Sequence, residues 1–420
     1  MKSVFKLAFC LLLLSGVIAG QSLVSTSVAK VQPSSPTSIS SKGNVDVSRA
    51  IVDATIERLP TASDLGPWEY SRALFLIGEL SVYRRTHDPK YLDYARQWAD
   101  SHINEQGVID HTIDSLDFIM PGNLALGLYQ LTGEKKYKVA AEKLASAFSR
   151  YPRTRDGGFW HGYGNSHGLD PASHQLWLDG TYMALPFLIH AGALSGDQES
   201  ANAEATQQLL IYTSHLKDAD GPLFFHAYDE TGKAAWANPV THQSSVKWGR
   251  SIGWYSMALV DVLDTLPQTP SSTKEGQERM KLIAIAQQLA HDLALYQDPA
   301  TGLWFQIVDQ PKLAGNFLET SCSSMFTYFL DVAVKRGYVD QSYRTVADKG
   351  YRGVLSKVGV GADGSYHVTD ICEGTMVGDE ASYLARKRYT DDFHGLGAFL
   401  LMNEEVQYNH AATPVRNEAH

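Results

Sequence analysis

In the stretch HQLWLDGTYMALPF, His174 to Phe187, an aspartate stands directly before a run almost free of charge. Asp179 has Trp177, Leu178, Tyr182 and Met183 for company. A carboxylate among such residues is costly unless something binds it. Two chemistries fit. At the first turn of a helix its oxygens accept free backbone amides, which makes it a cap; withdrawn from water it holds a proton and serves as a general acid. Polar or aromatic residues open other apolar runs in the same way, near Trp68, Asp117, Arg250, Thr320 and His394. If these openings share one rim, they collect Asp117, Asp179, Trp248, Arg250 and Trp254, with His161 and His226 from aromatic loops. Arg250 and Trp254 are four residues apart and share a helix face. Two carboxylates suit acid–base work on a sugar, aromatic faces stack on sugar rings, and a guanidinium forks onto an acid group. Taken one at a time, the aspartates fit helix caps, the tryptophans a core, the histidines ordinary loops and Arg250 an ion pair. Their recurrence at equivalent points of successive repeats favours a shared site.

The repeats are visible in the chain. YRRTHDPKY (Tyr83 to Tyr91) aligns with YQLTGEKKY (Tyr129 to Tyr137), and LSGD (Leu194 to Asp197) is a looser third copy. Apolar residues follow at helical steps: Tyr91, Tyr94, Ala95 and Trp98, then Tyr137, Ala140, Ala141 and Leu144. Each unit is therefore a helix, a polar turn and a second helix. A second element closes the units, a Gly turn before a short aromatic strand: RDGGFWHG at Arg155, ADGPLFFHAYD at Ala219, ATGLWFQIVD at Ala300 and ADGSYHVTD at Ala362. Helical hairpins of this kind cannot bury their faces alone, so they stack or close into a ring. PGNLALGLY and GWYSMALVDVL suit an inner wall that is apolar all round, and KVAAEKLASAF suits an outer wall. The expected fold is all-α, an (α/α)6 barrel of six inner and six outer helices with short β pieces at the rim.

Composition narrows the partners. Of 420 residues, 44% are hydrophobic and 20% charged, as in a globular protein, and the formal net charge of -10 offers no footprint for nucleic acid. At the N-terminus, Lys2 and Lys6 precede an apolar run from Leu7 to Ile18 and then small residues. That is a secretory signal, too short for a comfortable membrane span. Expected boundaries are a signal over 1–20, a flexible Ser/Thr/Pro-rich leader over 21–44, one barrel over 45–410 and a tail over 411–420, in a periplasmic or secreted protein with no membrane attachment after processing. Cys10 leaves with the signal, so only Cys322 and Cys372 remain to be paired or free. Neither CxxC nor HExxH occurs, so no metal site is expected. GVGADG, Gly359 to Gly364, runs into SYHV rather than opening a helix and fails as a dinucleotide loop.

LDFIMPGNLALGLYQLTGEKKY, GGFWHG, WLDGTYMALPFL, GPLFFHAYDETG, KWGRSIGWYSMALVDVL, ETSCSSMFTYFL and DDFHGLGAFLL together resemble glycoside hydrolase family 105, the unsaturated rhamnogalacturonyl and glucuronyl hydrolases. The resemblance runs from about Pro67 to Met402, with WLDGTYM and WGRSIGWY its most specific parts. It implies an (α/α)6 barrel without cofactor or metal, acting on a lyase-generated oligosaccharide that ends in a 4,5-unsaturated uronic acid. It also implies that Asp179 is the general acid and then the base, and that Asp117 is a second aspartate whose charge keeps Asp179 protonated. Tyr70, His161, His226, Trp248, Arg250 and Trp254 match ligand-contacting positions. The segment between His161 and Asp179, with His167 and His174, departs from the pattern by its length. An ordinary inverting glycosidase or a lyase on the same barrel, and a non-catalytic sugar-binding barrel, are the competing expectations.

Overall fold

The structure, a computed structural model, describes residues 37–38, 45–164 and 172–409. The signal, most of the leader, Cys10, His167 and the tail lie outside the described residues. Among those described, thirteen α-helices carry the fold. In chain order they are α1 (Val47–Arg58), α2 (Tyr70–Thr86), α3 (Pro89–His102), α4 (Gly122–Thr132), α5 (Lys135–Ala147) and α6 (Gly180–Ser195). Then follow α7 (Gln198–Leu216), α8 (Gly249–Thr265), α9 (Lys274–Tyr296), α10 (Thr320–Lys335), α11 (Arg344–Leu355), α12 (Glu380–Leu384) and α13 (Phe393–Tyr408).

Burial sorts these helices into two walls. On α3 only one stripe is buried, Tyr91, Tyr94, Ala95, Trp98 and Ala99, and Asp88 caps a first turn that Pro89 opens. On α8 every residue from Gly249 to Val260 is buried, so its first three turns have no solvent face. The inner helices α2, α4, α6, α8, α10 and α13 contact one another in that order, and α13 returns to α2, closing the ring. At the closure a Cβ on Gly397 of α13 would lie 2.6 Å from the Leu74 backbone of α2, so only glycine allows that approach. Outside, α3, α5, α7, α9 and α11 each cover the inner helix before them, while α1 covers α13. The sixth hairpin thus joins opposite ends of the chain. Asn403 Nδ2 donates to Ser48 Oγ at 2.7 Å, and Arg85 bonds both Asp46 and Glu404 across the seam.

The expected rim pieces are present. Antiparallel pairs join Gln175–Trp177 to Ala227–Asp229, Trp304–Phe305 to Leu318–Glu319, and Ile371–Cys372 to Arg388–Tyr389. The first ends just before α6 and the second runs straight into α10. Around GVGADG, strand Val358–Val360 turns back as Tyr366–Val368, a hairpin rather than a phosphate loop. Cys322 and Cys372 are both buried and free.

Two expectations at helix openings need correction. Asp117 does not begin an inner helix: Leu116–Phe118 form one 3-10 turn, capped by Ser115, and α4 begins only at Gly122. Pro121 explains the delay, since a residue without an amide proton is tolerated at a helix start and not inside it. Nor does Asp179 cap α6 with its side chain. Its backbone is already helical, at φ -53 and ψ -39, whereas a capping side chain is normally carried by an extended residue. Leu178 and Asp179 carbonyls take the first amides instead.

Candidate active site

Freed from capping, the Asp179 carboxylate turns to His226, whose Nε2 lies 3.0 Å from Oδ2. The approach is too oblique for a hydrogen bond, and both atoms are sealed from solvent. Backbone bonds fix the pair: Leu178 N donates to His226 O at 2.8 Å, and His226 N donates to Val246 O at 3.1 Å. The imidazole itself is fully buried, tilted against Trp248 at 4.7 Å, and its Nδ1 meets the Tyr383 hydroxyl at 2.6 Å.

A second pair stands beside the first. Asp117 Oδ1 lies 3.7 Å from His161 Nε2, and the His161 ring stacks on Trp177 with centroids 4.4 Å apart. Trp177 also meets His226 edge-on at 5.8 Å, so one indole touches both histidines. Residue 161 ties the two aspartates together through the backbone, accepting Leu116 N and donating to Gln175 O. Burial lowers the His161 pKa, but Asp117 and then Asp179 more than offset it, leaving the ring easier to protonate than usual. Each aspartate side chain keeps 13% exposure, enough for a ligand to reach it. Gly180 makes the crowding possible: a Cβ there would lie 2.8 Å from both Leu116 and the Tyr212 hydroxyl.

The remaining expected residues complete one wall and a floor. Tyr70 is partly exposed, edge-on to Trp254 at 5.9 Å and to His394 at 5.8 Å. Loss of water pushes its hydroxyl well above the ordinary range, and the charges of Arg250, Asp117 and Asp179 all act on it. Tyr70 thus lies within electrostatic reach of both acids. Trp254 is fully buried, stacked on Tyr182 at 5.1 Å, and Trp248 is 2% exposed between His226 and the Arg250 guanidinium. Neither tryptophan offers an open face, so they act as floor and wall, while Tyr70 keeps part of its surface exposed. Arg250 is buried too, with Nη1 donating to Cys372 O at 2.6 Å and Nη2 to Glu373 O at 2.5 Å. It anchors the 372–373 loop and reaches Ser321 Oγ at 3.5 Å, while Nε is sealed from solvent without a partner among the described residues. Glu319 braces the same loop by accepting Cys372 N while capping α10.

Sequence reasoning did not find Tyr383, Trp177 or Glu319. WLD points to Trp177 by adjacency, but nothing local points to Tyr383, 157 residues from its partner His226. Among the described residues no group of three or more His, Cys, Asp or Glu could hold a metal ion. A separate hollow lined by Asp46, Tyr351, Asn403 and Tyr408 lies at the far end of α13, away from both acid–histidine pairs. No helix among the described residues is long and apolar enough to cross a membrane.

The chain is similar in sequence and fold to known proteins. Residues 47–409 match the model of Glycosyl Hydrolase Family 88. The structure of a glycoside hydrolase from family 105 of C. acetobutylicum ATCC 824 is 32% identical, with a TM-score of 0.78 over 86% of this chain and 99% of that one. The unsaturated glucuronyl hydrolase of Bacillus sp. GL1, described as responsible for degradation of glycosaminoglycan, shares the fold at 14% identity and a TM-score of 0.62, over 86% of this chain and 95% of that one. Protein Atu3128 of Agrobacterium fabrum is 40% identical over 155 residues, which is 37% of this chain. The match spans 62% of the length of that curated relative.

Proposed function

The chain belongs to the glycosyl hydrolases of families 88 and 105, and on that premise we propose that it removes a 4,5-unsaturated uronic acid from the non-reducing end of lyase-generated oligosaccharides. One observation carries the reading: two accessible carboxylates, each facing a buried imidazole, meet across a single indole at the rim where the inner helices begin.

Asp179 in its acid form gives its proton to C4 of the enol ether, and positive charge develops at C5 and the ring oxygen. Asp117 supplies negative charge in the same pocket, which favours that cation over the neutral ground state. The carboxylate left on Asp179 then takes a proton from water as the oxygen bonds to C5. The hemiketal opens by breaking the bond from C5 to the ring oxygen, which leaves a ketone at C5 and a hemiacetal at C1. Loss of the C1 substituent releases the shortened oligosaccharide, and Asp179 ends protonated as it began.

The ultraviolet absorbance of the conjugated double bond follows the reaction directly. Addition of the enzyme to lyase digests should make it fall, and D179N should slow the fall on the order of 10³-fold while retaining binding. In deuterated water one deuteron should appear at C4; its absence would assign the cleavage to an ordinary inverting glycosidase. A D179N variant as active as the parent would leave only a sugar-binding barrel. We also propose that residues 1–20 direct export, which N-terminal sequencing of the mature protein from cell fractions would test.

A further inference from the structure

Tyr383 has no part in the steps above, yet it is fully buried and its hydroxyl lies 2.6 Å from His226 Nδ1. It sits on α12, a helix of five residues with no counterpart in the barrel repeat. That helix is held firmly. Asp379 caps it by accepting Ser382 N at 2.9 Å, and Gln306 Nε2 donates to the Tyr383 carbonyl at 2.6 Å.

These contacts decide which way the proton points. Burial raises the Tyr383 pKa far above the ordinary range, so the hydroxyl is neutral and keeps its hydrogen. Among the described residues its one acceptor is His226 Nδ1, and a buried hydroxyl hydrogen left without an acceptor is costly. Tyr383 therefore donates and Nδ1 accepts. A neutral imidazole that accepts at Nδ1 carries its own hydrogen at Nε2, the atom 3.0 Å from Asp179 Oδ2. Poor alignment of this kind is common in sites without substrate, where catalytic hydrogen bonds tighten on binding. Oδ2 is sealed, so the 13% exposure of the Asp179 side chain leaves Oδ1 as the oxygen open to the pocket.

We propose that Tyr383 is a positioning residue: it fixes His226 as the Nε2–H tautomer, commits Asp179 Oδ2 to accepting that hydrogen, and so directs the transferable proton to Oδ1. The idea rests on Asp179 being the acid of the proposed hydrolysis, but its first test does not. Histidine-labelled protein gives nitrogen–proton correlation spectra that distinguish the two neutral tautomers and the imidazolium, and H226Q assigns the signal. At neutral pH, His226 of the parent should show the Nε2–H pattern, and Y383F should lose it to the other tautomer, a mixture or the cation. With lyase digests, Y383F should lower kcat roughly tenfold, the effect of one hydrogen bond to the reacting pair, while KM stays near the parent value. An Nδ1–H or cationic His226 in the parent, or an unchanged spectrum with unchanged kcat in Y383F, overturns the proposal. A parent enzyme that hydrates no unsaturated uronide sinks the proposed function, while the spectrum still tests the tautomer.

Discussion

Asp117 with His161 and Asp179 with His226 are the same pair of residue types set on either side of Trp177, yet they are held differently. In the first pair the closest atoms are 3.7 Å apart and His161 Nδ1 is buried without a hydrogen-bond partner among the described residues. In the second they are 3.0 Å apart and His226 Nδ1 is bound to Tyr383. Backbone bonds hold both histidines, so the third partner makes the difference. A ring pinned at one nitrogen presents a defined group at the other, which suits a proton delivered at one place. A ring with an unengaged nitrogen can gain or lose a proton without breaking a bond, which suits an electrostatic role.

Substitutions that treat the two pairs alike should therefore give unequal results. D179N removes the proton donor and should lower kcat on the order of 10³-fold, read from the absorbance decay. D117N removes only charge, and a loss of about 10²-fold in the same assay is expected; equal losses would erase the distinction. G180A pushes a methyl group between the two pairs, against Leu116 and Tyr212, and should cost about 2 kcal/mol of stability in a denaturant titration. The smallest effect belongs to His161. Its folded pKa is raised above the ordinary 6.5, so its charge stabilises the fold fully below that value, and the contribution fades as pH rises through the folded value. Denaturant titrations from pH 5 to pH 8 should show that slope in the parent and not in H161Q.

Local pattern was enough to reveal most of the barrel. The step of three and four residues on α3 and α5, and the apolar runs of α8 and α10, are properties of each segment by itself. The inner helices begin at Tyr70, Gly180, Gly249, Thr320 and Phe393, within two residues of the openings read near Trp68, Asp179, Arg250, Thr320 and His394. What local pattern hides is whatever depends on a distant partner. The helical backbone at Asp179 goes with the pairing of Gln175–Trp177 to Ala227–Asp229, so a residue that reads as a cap is turned toward His226. Arg250 reads as a fork for an acid group or as half of an ion pair, and only the fold brings the carbonyls of Cys372 and Glu373 to it. Tyr383 stands on a helix too short to show any period.

The seam between α1 and α13 bears on the history of each molecule. The barrel cannot finish closing until α13 has been synthesised, because the cover for α13 is made first and must wait for it. Until then α2 and α10 each present an unpaired flank to any chaperone that binds apolar surface. The same seam brings Asp46 and Glu404 onto one arginine, so the two ends of the folded helices are neighbours. A rearranged gene that links those ends and opens the polar turn between α9 and the Trp304–Phe305 strand should still encode a closed ring, with the order of synthesis shifted by a third of a turn.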